Sequence, residues 1–171
     1  MIRRAGLTLA AWALWASGVH AEPPSAPANT ARYARELQAE LTAMQRQPRC
    51  QPETHGRFHC SFAATGATSG GHGSTLHAVY SDQTDTVYVY VERYAMLPAD
   101  DARTPTLLRR MMELNWQLLV GKLEWSARSG EVRLSAVLNT DSNFDRRALR
   151  SIVLSLETVA ERYRQELASR P

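Results

Sequence analysis

Six side chains able to do metal or redox chemistry crowd one short region: Cys50, His55, His59, Cys60, His72 and His77. Thiolate and imidazole together suit zinc or copper. The spacing matches no standard Cys/His motif. His59 and Cys60 are adjacent, so on a strand they point to opposite faces. The competing chemistry is a Cys50–Cys60 disulfide, and the redox compartment decides between the two. Arg3 and Arg4 precede an apolar run from Ala5 to Ala16 that is too short to span a bilayer comfortably. Val19-His20-Ala21 is an acceptable small-residue cleavage site, with Glu22 as the new N-terminus. This is the pattern of a secretory signal over residues 1–21; an uncleaved membrane anchor is the alternative. No cysteine follows the apolar run, so a lipoprotein anchor is not expected. Export to a periplasmic or secreted location makes the disulfide the expectation, with no metal ligated by these cysteines. Closing so short a loop stabilises the fold by about 3 kcal/mol in the chain-entropy account.

Other chemistry finds less footing. There is no Gly-x-Ser-x-Gly elbow, no His-Glu-x-x-His and no recognisable paired-carboxylate pattern. Residues 65–74, TGATSGGHGS, hold four glycines. No lysine follows them and the next stretch reads as strand rather than helix, so they predict a hairpin connection and not a phosphate cradle. Glu92 and Arg93 sit where a strand ends and read as a solvated end or ion pair. Charge argues against nucleic acid. The chain has 20 Lys plus Arg and 17 Asp plus Glu, and loss of residues 1–21 removes Arg3 and Arg4, leaving 18 against 17, or +1. Neither cofactor nor catalytic residue is expected. Recognition is the remaining class. Tyr88 and Tyr90 share a strand face opposite Val87, Val89 and Val91, and tyrosine offers rigid area with a hydroxyl.

The elements that position these residues follow from periodicity. Residues 22–29, EPPSAPAN, read as a Pro/Ala-rich linker. Thr30 can cap a helix whose stripe is Tyr33, Leu37, Leu41 and Met44, ending before Pro48. A cysteine loop occupies 48–57. Strands are expected over 58–64, 75–81 and 86–94, the last rich in β-branched and aromatic residues. The stretch 107–138 organises the chain. Leu107, Leu108, Met111, Leu114 and Leu118 form a helical stripe after Thr104 and Pro105, and Gly121 suits the stop. Leu123 and Trp125 then alternate with polar neighbours. Arg128-Ser129-Gly130 makes a turn into Val132, Leu134, Ala136 and Leu138. A final helix over about 144–168 carries Leu149, Ile152, Val153, Leu156, Val159, Ala160, Tyr163 and Leu167. At about 25 residues it would be ~37 Å long and overhang a seven-residue strand of ~23 Å.

The fold class expected is α+β: a mainly antiparallel five-stranded sheet with helices on one face, in the order α-β-β-β-α-β-β-α, as a single domain over 30–168. The central helix presents a conflict. Met112, Trp116 and Leu119 lie off its main stripe, so apolar residues surround it, and such a helix must be covered all round. Either the first or last helix folds over that side, or a second chain or a client segment does. Asn115, in the same helix, reads as a buried amide that satisfies backbone near Gly121, with a client contact as the alternative.

The stretch LLRRMMELNWQLLVGKLEWSARSGEVRLSAVL, followed by a polar link and a long amphipathic helix, resembles YbjN-type bacterial proteins. The resemblance rests on the Leu114-Asn115 pair, the apolar strand after it, the turn ending in Gly130 and the element order. It implies the type III secretion chaperone-like fold, a tendency to dimerise, and binding of other polypeptides without catalysis. The export signal and the cysteine pair depart from that pattern. The expectation is therefore an exported, non-catalytic protein- or peptide-binding module, chaperone- or regulator-like and possible as a homodimer, without stable membrane insertion once the signal is removed. Its partner-binding candidates are Met112, Trp116, Leu119, Tyr88 and Tyr90. The other expectation is a sensor or carrier of a small ligand or metal using the His-rich region 55–77.

Overall fold

The computed structural model describes residues 31–65 and 74–167. The signal over 1–21, the linker 22–29, Thr30, His72 and the glycine-rich stretch between 65 and 74 lie outside the described residues or at their edge. The elements are α1 (Ala34–Ala43), β1 (Arg49–Glu53), β2 (Arg57–Ala63), β3 (Thr75–Ser81), β4 (Thr86–Met96), α2 (Thr104–Gln117), β5 (Lys122–Trp125), β6 (Glu131–Asn139) and α3 (Arg146–Leu167). The class is α+β with an antiparallel sheet, as the patterning dictates. The strands run in the order β1-β2-β3-β4-β6-β5, so the sheet has six strands rather than five. The additional one is β1, inside the expected cysteine loop. Its sequence, Arg-Cys-Gln-Pro-Glu, shows no apolar alternation; pairing with β2 makes it a strand, with Cys50 opposite Cys60. Pro52 is tolerated because β1 is an edge.

Alternation sorts the two sheet faces. Phe58, Cys60 and Phe62 of β2, Leu76, Ala78 and Tyr80 of β3, Val87, Val89 and Val91 of β4, and Val132 and Leu134 of β6 are buried on the helix side. All three helices close over that core. Leu37 and Leu41 of α1, Leu114 of α2, and Leu149, Val153 and Leu156 of α3 are fully buried. One ion pair ties α1 to α3, Arg150 to Glu40 at 2.6 Å, and another ties the segment after α1 to α3, Arg46 to Glu157 at 2.7 Å. The register between β4 and β6 shifts between Val91 and Ala95, where Arg93 takes a φ of 47°. This bulge turns Tyr94 inward, and its hydroxyl donates to the Ala160 carbonyl at 2.8 Å. The expected solvated strand end at Glu92 and Arg93 is thus mid-strand. Asp145, rather than a residue of 139–143, caps α3 by accepting from the Ala148 N–H at 2.9 Å. At 22 residues α3 is ~33 Å long. The expected overhang is not found: Leu167 at its end is buried, and β4 has lengthened to 11 residues.

α2 stops earlier than the glycine implied. Leu118 is already extended (φ −75°, ψ 122°), so 118–120 form a link and not a last turn. Gly121 lies beyond it with φ +86°, and a Cβ there would stand 2.9 Å from Leu156 Cδ2. The glycine therefore serves the close approach of the link to α3. Thr104 is the first residue of α2, not its cap; its hydroxyl donates to the Pro98 carbonyl at 2.7 Å. Among the described residues no helix is long and apolar enough to cross a membrane.

Candidate functional site

α2 reaches the sheet through Met111 and Leu114, both buried, and through Asn115. The Asn115 amide donates to the Leu123 carbonyl at 3.0 Å, and its oxygen accepts from the Leu123 N–H at 2.7 Å. These are the outward backbone groups of edge strand β5. One side chain thus closes an edge that would otherwise offer itself to another strand. This settles the orientation of α2: the stripe Leu107, Leu108, Met111, Leu114 faces the core, and the opposite side faces outward.

That side is uncovered. Met112 is 70% exposed, Trp116 92% and Leu119 101%. Neither α1 nor α3 folds over them. α3 instead approaches the link beside them and leaves a groove of about 540 Å³. Leu118, Leu119 and Val120 form one wall; Leu154, Val159 and Tyr163 of α3 form the other. Leu154 is itself exposed. Ser151, Ser155 and Thr158 recur along α3 at the groove and keep it shallow and open. Leu154 and these small residues were not singled out in the sequence, because they lie off the buried stripe. Their signal was a lone leucine on the polar side of α3.

The other two candidates lie elsewhere. Tyr88 and Tyr90 are on the sheet face that carries no helix. They stack on each other with ring centroids 5.1 Å apart, and Tyr90 stacks on His77 at 4.8 Å. The Arg133 guanidinium sits 4.6 Å above the Tyr90 ring. The Tyr88 hydroxyl donates to Glu124. Burial, reinforced by that bond, pushes the Tyr88 phenol up to about 12. Burial also pushes Tyr90 up. These rings are engaged with their own sheet, so the five candidates do not form one surface.

The cysteines are bonded to each other, which removes the thiolate ligands from the metal reading. His55 is exposed in the β1–β2 turn. Among the described residues no group of three or more His, Cys, Asp or Glu is placed to hold a metal ion. His59 and His77 meet instead in a line with Glu53 and Glu92. Adjacent strands bring them together, a pairing that spacing alone does not reveal. Burial first, and His77 second, hold the His59 imidazole below its ordinary value, while Glu53 works against both.

No family model and no curated protein matches the chain, so the YbjN-type pattern remains a resemblance. Solved structures do match. One is a chain of the HopA1-SchA chaperone-effector complex, 14% identical over 78% of this chain and 93% of that one, with a TM-score of 0.54. Another is a chain of the ExsC-ExsE complex, 11% identical over 81% of this chain and 98% of that one, with a TM-score of 0.56. At these identities the likeness is one of fold, and it places the chain in the chaperone-like α+β architecture seen in those complexes.

Proposed function

We propose that this chain is a non-catalytic, chaperone- or regulator-like module that binds a polypeptide through the outward side of α2 and the groove beside α3. One observation carries the reading: Met112 and Trp116, one turn apart on α2, and Leu119 in the link after it are all exposed, and Leu119 lines an apolar groove. Folded chains seldom leave such a patch bare unless something binds it. Tryptophan and methionine are enriched in contacts of this kind, and tryptophan is a frequent anchor. The fold supports the same reading, since both similar chains occur in two-protein complexes. So does the resemblance at Leu114-Asn115 and Gly130 to YbjN-type proteins.

Trp116→Glu tests it. The side chain is 92% exposed, so the fold should survive with a stability change of about 0.5 kcal/mol or less. Partner binding or self-association should weaken at least tenfold, about 1.4 kcal/mol. Sedimentation of the purified chain distinguishes a homodimer from a client. A folded variant with unchanged association refutes the reading.

The module works outside the cytoplasm in this account. The pattern of residues 1–21 supports that, as does the pairing of both cysteines. N-terminal sequencing of the native protein should begin near Glu22. An intact Met1 in a membrane fraction would contradict it.

A further inference from the structure

Four side chains from β1, β2, β3 and β4 stand in line across the helix-free face of the sheet. Glu53 Oε1 is 3.2 Å from His59 Nδ1. His59 Nε2 is 2.8 Å from His77 Nδ1. His77 Nε2 is 3.1 Å from Glu92 Oε2. Proton counting constrains this line. A carboxylate only accepts, so the two outer contacts each need an imidazole N–H. The central contact needs a third. Two neutral imidazoles carry only two N–H groups between them. The line therefore closes when the pair holds one proton beyond two neutral rings. With none in excess, one contact sets a lone pair against a lone pair or a carboxylate. With two in excess, N–H faces N–H at the centre, between two positive rings.

We propose that Glu53, His59, His77 and Glu92 form a single-proton clasp on the open sheet face, closed by one excess proton and opened by a second. The clasp fastens the outer face of edge strand β1. On the other side of the sheet the Cys50–Cys60 bond holds the same strand, so opening is confined to the outer side chains. The two carboxylates and one excess proton leave the line at −1, and the second proton brings it to 0. The face thus loses a negative charge on acidification. The charged neighbours are few. Arg57 of β2 pairs with Glu53 at 3.3 Å. From β4 the Tyr90 ring stacks on His77, and from β6 Arg133 covers Tyr90 while bound to Glu131 at 2.9 Å. His55 in the β1–β2 turn is exposed. Burial first, and the neighbouring His77 second, hold His59 below its ordinary value, so it resists a second proton. Resistance to the second proton contributes stability that is lost as pH falls through the lowered His59 value, and above the imidazole range the pair gives up its one excess proton and the clasp opens there as well.

Imidazole nitrogen NMR on the full-length protein tests this directly. In the closed state His59 should carry its proton on Nδ1 and His77 on Nε2, with the two rings titrating in separated, coupled steps. Glu92→Gln removes one terminal charge from a side chain that is 43% exposed, so the fold is retained. It should move the upper step down by about half a pH unit or more. A singly protonated pair in which His59 Nδ1 or His77 Nε2 carries no proton, or two rings titrating independently at one midpoint, would overturn the clasp. An upper step unmoved in Glu92→Gln would overturn it as well.

Discussion

Asn115→Ala isolates what closes the sheet edge. The amide makes two hydrogen bonds, at 3.0 and 2.7 Å, to the carbonyl and N–H of Leu123. Each such bond contributes about 0.5–1.5 kcal/mol net. Leu123 is 6% exposed, so water reaches the freed groups poorly and the loss stays near the full value. The sum is about 1–3 kcal/mol, or a fall in Tm of roughly 3–10 °C for a domain of this size. Urea unfolding should show a lower midpoint with an unchanged slope, the sign of lost stability without a changed denatured state. Asn115→Asp sharpens the test. It retains an acceptor for the Leu123 N–H but sets a carboxylate against the Leu123 carbonyl. It should destabilise at neutral pH and recover as acid protonates it. If Asn115→Ala changes stability by less than about 0.3 kcal/mol, the amide does not hold β5 and the reasoning fails.

Three further outcomes follow from other contacts. A Cys50→Ala/Cys60→Ala double variant should lose up to about 3 kcal/mol, read by denaturant unfolding, since the bridge closes a separation of 10 residues. Gly121→Ala should destabilise by more than about 1 kcal/mol, because a φ of +86° is strained for alanine and its Cβ would stand 2.9 Å from Leu156; unchanged thermal unfolding would contradict this. Alkaline titration followed by phenolate absorbance should show Tyr80, Tyr88 and Tyr90 ionising late, with Tyr88 near 12. Their raised values mean stability present below the ordinary phenol range and lost as pH rises through the folded values, so alkaline unfolding should abolish the delay.

Most of the fold was legible because two periods carry it. The expected strand over 75–81 is β3 to the residue, and the one over 86–94 differs from β4 only past the bulge. Alternation cannot announce a bulge, since Arg93 is unremarkable until its φ is known. β1 was missed because an edge strand of Arg, Cys, Gln, Pro and Glu buries no side chain fully. The end of α2 was misplaced because Leu118 and Val120 continue an apolar run while leaving the helix. For the site, Met112, Trp116 and Leu119 stood out as apolar residues beyond what one core stripe needs. The groove's second wall did not, because it depends on how closely α3 passes Gly121. The histidines were noticed for their chemistry, and their partners were not foreseen. Their partners are set by strand register, which sequence spacing leaves open.

In the proposed function the outward side of α2 is a polypeptide-binding surface. A photoreactive residue placed at position 116 in otherwise native protein, activated in living cells, tests it without intermediate steps. Position 116 is 92% exposed, so the probe disturbs no core contact. The expected product is a cross-linked polypeptide, a second copy of this chain or a client, that is absent when the probe stands at Tyr88 on the opposite sheet face. Adducts from Tyr88 with none from position 116 would contradict it.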